Sequence, residues 1–152
     1  MKRLVLVSMF VLSATLLVAG AALAVSKMCP SDCRGTKDGD RIVGSARAQV
    51  IHGERGNDRI LGRAGNDYVK GGPDNDEVYG QEGDDKVKGT LGSDDLFGGP
   101  GNDTLRAGAL KQPNDGARDV LDCGDGTDTA YFTPGQDVVH DNCEILNPPE
   151  GM

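Results

Sequence analysis

The chain has 152 residues, room for one domain and little more, with 23 Gly, no Trp and only 4% aromatic residues. So few large side chains exclude an ordinary globular core, which depends on big buried groups. With 24 acidic against 16 basic residues and a net charge of −8, the composition argues against nucleic acid as a partner and favours cations.

Lys2 and Arg3 precede an apolar run from Leu4 to Ala19, and Ala22-Leu23-Ala24 fits an A-x-A cleavage site. Residues 1–24 are therefore expected to be a secretory signal peptide, with the mature chain starting near Val25; an uncleaved membrane anchor is the alternative. Residues 25–34 read as a short N-terminal cap segment. The four cysteines, Cys29, Cys33, Cys123 and Cys143, all lie beyond the signal, and an even number in an exported chain points to disulfides. They allow three connectivities, of which Cys29–Cys33 with Cys123–Cys143 is the most local. A zinc site is disfavoured, because the C-x3-C spacing has no histidine near it.

From Gly35 the sequence repeats every nine residues: GTKDGDRIV, GSARAQVIH, GERGNDRIL, GRAGNDYVK, GGPDNDEVY, GQEGDDKVK, GTLGSDDLF, GGPGNDTLR, eight units over 35–106 with no insertion. Position 1 is always Gly. Position 6 is Asp at Asp40, Asp58, Asp67, Asp76, Asp85, Asp94 and Asp103, with Gln49 the exception. Position 8 is always aliphatic, from Ile42 and Ile51 through Ile60, Val69, Val78 and Val87 to Leu96 and Leu105. Residues 107–113 read as an insertion. Degenerate units over 114–140 follow, keeping Asp119, Asp128 and Asp137 at position 6 and Leu121, Ala130 and Val139 at position 8. Residues 141–152 are a cap and tail.

The first six positions, rich in Gly, Asn and Asp, favour a tight turn because these residues tolerate positive φ. The last three, x-aliphatic-x, make a minimal strand with one side chain in and two out. One unit cannot bury its single aliphatic residue alone, but stacked copies can, as a solenoid. Stacking brings successive aspartates to about one strand separation, about 4.8 Å. Like charges at that spacing repel unless a hard cation lies between them. Carboxylate and turn carbonyl oxygens are the donor set calcium prefers, whereas magnesium demands stricter geometry and soft ligands for transition metals are missing.

The nonapeptide resembles that of the repeats-in-toxin, or haemolysin-type, calcium-binding family, G-G-x-G-x-D-x-U-x, most closely in GRAGNDYVK and GGPGNDTLR. The resemblance covers 35–106. It implies an all-β fold, a parallel β-roll (a β-solenoid) with two repeats per coil. Calcium would lie between units n and n+2, held by backbone carbonyls and by Asp40, Asp58, Asp67, Asp76, Asp85, Asp94 and Asp103, with Asp119, Asp128 and Asp137 as further candidates. Six such pairings exist and one contains Gln49, which leaves about five calcium sites. Their charge roughly cancels that of the mature chain, so folding is expected to be coupled to binding. The sequence departs from the family at position 4, which is Asp at Asp38 and Asp74. Arg47 and Gln49 make Gly44–His52 structural rather than ligating. The N-terminal signal and the cysteines also separate this chain from toxins and exoenzymes exported by a C-terminal signal. Its ending, CGDGTDTAYF through DNCE, resembles small exported bacterial calcium-binding proteins, which implies a C-terminal cap closed by Cys123–Cys143.

Two units per coil send odd and even strands to opposite faces. Position 9 then gives one face an apolar column, Val43, Leu61, Tyr79 and Phe97, and the other a basic one, His52, Lys70, Lys88 and Arg106. Packing along the sheet explains the apolar column without a partner. Cover by the 107–113 insertion or by a second molecule is the alternative.

No catalytic constellation is evident. His52 and His140 lie outside any H-E-x-x-H, and there is neither a G-x-S-x-G elbow nor an EF-hand loop. Periodic turn carboxylates are more simply metal ligands than a hydrolase pair. Asn102-Asp103-Thr104 fits a glycosylation triplet by chance, since Asp103 belongs to the repeat. The expectation is a secreted, non-enzymatic calcium-binding protein with a structural or adhesive role at the cell surface and no small-molecule substrate. Self-association and a cell-envelope polymer are its candidate partners. The alternatives are an accessory fragment of an exoenzyme or toxin, and a surface module binding anionic polymers through the basic column.

Overall fold

The computed structural model describes residues 26–108 and 115–147. Residues 1–24, where a signal peptide is expected, most of the 107–113 segment expected to be an insertion, and the end of the tail lie outside them.

Among the described residues every regular element is a strand. In chain order these are β1 (Ser26–Met28), β2 (Cys33–Arg34), β3 (Arg41–Val43), β4 (Val50–His52), β5 (Arg59–Ala64), β6 (Tyr68–Pro73), β7 (Glu77–Glu82), β8 (Lys86–Leu91), β9 (Asp95–Pro100), β10 (Thr104–Gly108), β11 (Val120–Asp125), β12 (Thr129–Tyr131), β13 (Val138–Val139) and β14 (Ile145–Asn147). Odd strands form one seven-stranded sheet and even strands another, each strand pairing in parallel with the strand two along. Two nonapeptides therefore make one coil, and the chain is the expected parallel β-solenoid. No helix among the described residues is long and apolar enough to cross a membrane.

The register follows the repeat. Ile42 pairs with Ile60, Ile60 with Val78 and Val78 with Leu96 on one sheet, while Ile51, Val69, Val87 and Leu105 align on the other. These position-8 side chains, together with Leu121 and Ala130, are completely buried and form the file that runs through the core. Each strand from β3 to β12 contributes one of them, so no rung is stable without its neighbours. Disulfides join Cys29 to Cys33 and Cys123 to Cys143, the most local connectivity, and place cysteine in the core at both ends.

Positive φ is found at position 4, at Gly56, Gly65, Gly83, Gly92, Gly101 and Asp74, and at position 2, where Glu54, Arg63, Gln81 and Thr90 adopt it without being glycine. The invariant position-1 glycines do not have positive φ, so turn conformation is not what fixes them. On the odd outer face Tyr79 stacks on Phe97 with centroids 4.5 Å apart, and Val43 is buried, so much of the apolar column packs on itself.

Candidate metal sites

The turns bring the position-6 residues into two seams. In the first, the backbone N–H of Asp40 donates to Asp58 Oδ1 at 2.7 Å, that of Asp58 to Asp76 at 2.9 Å, and that of Asp76 to Asp94 at 2.9 Å. The second runs from Gln49 to Asp67, Asp85 and Asp103 in the same way, at 2.8, 2.7 and 2.7 Å. Each step is 18 residues, one full coil. Both seams cross the insertion unbroken. Asp94 donates to Asp119 at 2.8 Å and Asp103 to Asp128 at 2.7 Å, with the step lengthened to 25 residues. Ala107 and Gly108 still complete β10, Gly108 pairing with Thr90. Asp119 then donates to Asp137 at 3.1 Å.

One oxygen of each carboxylate is used in this way, or at Asp40 by the Thr36 N–H on Oδ2. At Asp137 the second oxygen is used too, Oδ2 accepting the Thr133 N–H. In eight of the others it is not: Oδ2 of Asp58, Asp67, Asp76, Asp85, Asp94, Asp103 and Asp128, and Oδ1 of Asp40, are buried without a hydrogen-bond partner. A buried acceptor left in that state is costly, and an ionised one more so. Burial accordingly raises the carboxyl pKa of Asp58, Asp67 and Asp103 to about 6, of Asp76, Asp85 and Asp119 to about 7, and of Asp94 to about 9. The backbone N–H bonds oppose this rise and do not cancel it. No group of three or more His, Cys, Asp or Glu side chains converges among the described residues. A cation here would take one carboxylate oxygen per rung and complete its shell with turn carbonyls, the hard-oxygen donor set of calcium. The orphaned oxygens fit that ion.

The position-1 glycines follow from the same geometry. A Cβ on Gly62 would lie 2.7 Å from Asp67 Oδ2 and 2.6 Å from the Gly80 carbonyl oxygen, and the other units repeat the obstruction. The carboxylate folds back over its own turn, into space that only glycine leaves free.

Three features escaped the sequence reading. Glu144, in the cap, accepts the Asp128 N–H on Oε2 at 2.8 Å and so extends the second seam by one rung, although its step is 16 residues. Position 5 forms an outer ladder: the N–H groups of Asn75, Ser93, Asp84 and Asn102 donate to the side chains of Asn57, Asn75, Asn66 and Asp84. That column stood in the same phase as position 6 and was readable there. Third, Gln49 is 4% exposed and fully hydrogen-bonded, with its amide engaged to the N-terminal cap.

On the even outer face Arg34, His52, Lys70, Lys88 and Arg106 align in register. Lys88 lies 4.9 Å from the Tyr68 ring centre and Arg106 4.1 Å from that of Tyr131. Among the described residues Arg34 pairs with Glu54, but Lys70, Lys88 and Arg106 have no carboxylate partner.

A family model, described as RTX calcium-binding nonapeptide repeat (4 copies), matches the chain at residues 34–69, 43–78 and 70–105. Neither the curated proteins nor the solved structures gave a match.

Proposed function

We propose that this chain, which matches the RTX calcium-binding nonapeptide repeat over residues 34–105, is a secreted, non-enzymatic calcium-binding β-roll that orders when it meets extracellular calcium and serves a structural or adhesive role at the cell surface. The observation that carries this is the file of buried carboxylate oxygens without partners, at Asp40, Asp58, Asp76 and Asp94 in one seam and at Asp67, Asp85, Asp103 and Asp128 in the other. Calcium, when bound, supplies the positive charge those oxygens lack. The proposed ligands are Asp40, Asp58, Asp67, Asp76, Asp85, Asp94 and Asp103, giving about five sites, with Asp119, Asp128 and Asp137 extending the seams. Two disulfides and the leader-like N-terminus support export, since such bonds persist in oxidising compartments.

The test is a calcium titration of the oxidised chain followed by circular dichroism. A cooperative rise in β signal is expected, much reduced in the Asp67→Ala, Asp85→Ala double variant and not reproduced by magnesium. A β signal that ignores calcium would overturn the proposal.

The even face favours a second reading. Lys70, Lys88 and Arg106 are cross-strand neighbours of like charge, an arrangement that destabilises a sheet unless an anion relieves it. A linear anionic polymer of the cell envelope, laid along the column, is the partner this charge pattern fits.

A further inference from the structure

We infer that Gln49 stands in for a cation, closing the first coil of its seam by hydrogen bonds alone, so that the N-terminal end of the array stays folded when calcium is withdrawn. This rests on the calcium-binding reading of the other rungs.

Gln49 occupies position 6, where its neighbours along the seam are Asp67, Asp85, Asp103 and Asp128. Each of those four keeps one buried oxygen without a partner. Gln49 has none. Its Oε1 accepts the Ser45 N–H at 2.6 Å, and its Nε2 donates to the carbonyl oxygens of Cys29 at 3.0 Å and Ser31 at 2.7 Å. An amide NH2 carries two donors, and here both meet an acceptor. The group gives two convergent carbonyls something positive to face, as a metal ion would, without a formal charge to desolvate.

The carbonyls it holds are themselves anchored. Cys29 and Ser31 lie inside the loop closed by the Cys29–Cys33 disulfide, and Cys33 sits opposite Ile51 at the head of the core column. Asp32 Oδ1 accepts the Val50 N–H at 2.8 Å, and the Arg34 guanidinium pairs with Glu54 across the same edge at 2.7 Å. The cap therefore docks on β4 and the residues flanking it through the Gln49 amide, the Asp32 carboxylate, the Cys33–Ile51 rung and one exposed ion pair. The disulfide holds its loop. None of these needs a metal.

Hydrogen exchange read by peptide mass spectrometry, on the oxidised chain in excess chelator and again in excess calcium, tests this. In chelator, amides within 29–52 are expected to exchange at least about tenfold more slowly than those within 67–105. In calcium the central rungs gain protection as well. The Gln49→Glu variant keeps the size and the disulfide but turns an oxygen toward the two carbonyls. It is expected to lose the protection of 29–52 in chelator and recover it in calcium. Equal, fast exchange of both segments of the unmodified chain in chelator overturns the inference, as does a Gln49→Glu variant that remains protected there. Central rungs that fail to gain protection in calcium would instead sink the calcium reading, so the two failures are distinguishable.

Discussion

Asp94 is completely buried, and burial drives its carboxyl up to about 9, the extreme of a series that begins near 6 at Asp58, Asp67 and Asp103. In the metal-free coil these groups hold protons that the unfolded chain, with ordinary carboxyls near 4, releases. The folded form then binds more protons than the unfolded form from about pH 4 up to about pH 7 and beyond, so its stability falls as pH rises through that window. Acid is therefore expected to do part of the work of calcium. Metal-stripped protein taken from pH 8 to pH 5 gains β signal in circular dichroism, while calcium at pH 5 binds more weakly because protons compete for the same oxygens. A flat signal between pH 8 and pH 5 in metal-stripped protein contradicts this.

At the scale of the turn, backbone conformation and side-chain identity disagree at position 2. Thr90 is β-branched and sits at φ 132°, whereas Gly72, its partner along the sheet, adopts φ 144° as glycine can. Holding a non-glycine residue there costs about 1–3 kcal/mol. The Thr90→Gly variant is expected to gain about 1 kcal/mol in urea unfolding at saturating calcium; an unchanged or lower midpoint would place the strain elsewhere. The strands and their phase were legible in the sequence because one aliphatic residue per unit decides which side faces in. The position-6 carboxylates were legible as a column for the same reason. The cause of the position-1 glycines was not, since it lies in a carboxylate five residues along folding back over them. Glu144 was hidden by a step of 16 residues in place of 18, and the partners of Gln49 lie in a cap segment that lacks the repeat.

For the whole molecule, the seams gather negative charge at the bends and leave the even face basic. If that face carries a polymer, binding depends on salt and on the position-9 cations rather than on the seams directly. With calcium present, the oxidised chain is expected to be retained on immobilised dextran sulfate. The Lys70→Glu, Lys88→Glu, Arg106→Glu variant elutes at much lower salt with its calcium-induced β signal intact. Retention lost only on chelation, and kept by that variant, would assign the interaction to the folded seams instead.

The seams advance by 25 residues where the coils before them advance by 18, yet in each the bond that closes the longer step is no longer than the one before it. A helical spring of this kind counts its windings and not the thread spent between them. Such a bend is a natural port: evolution or an engineer can lengthen the excursion there, hang a new epitope from it, and leave the pitch of the spring unaltered.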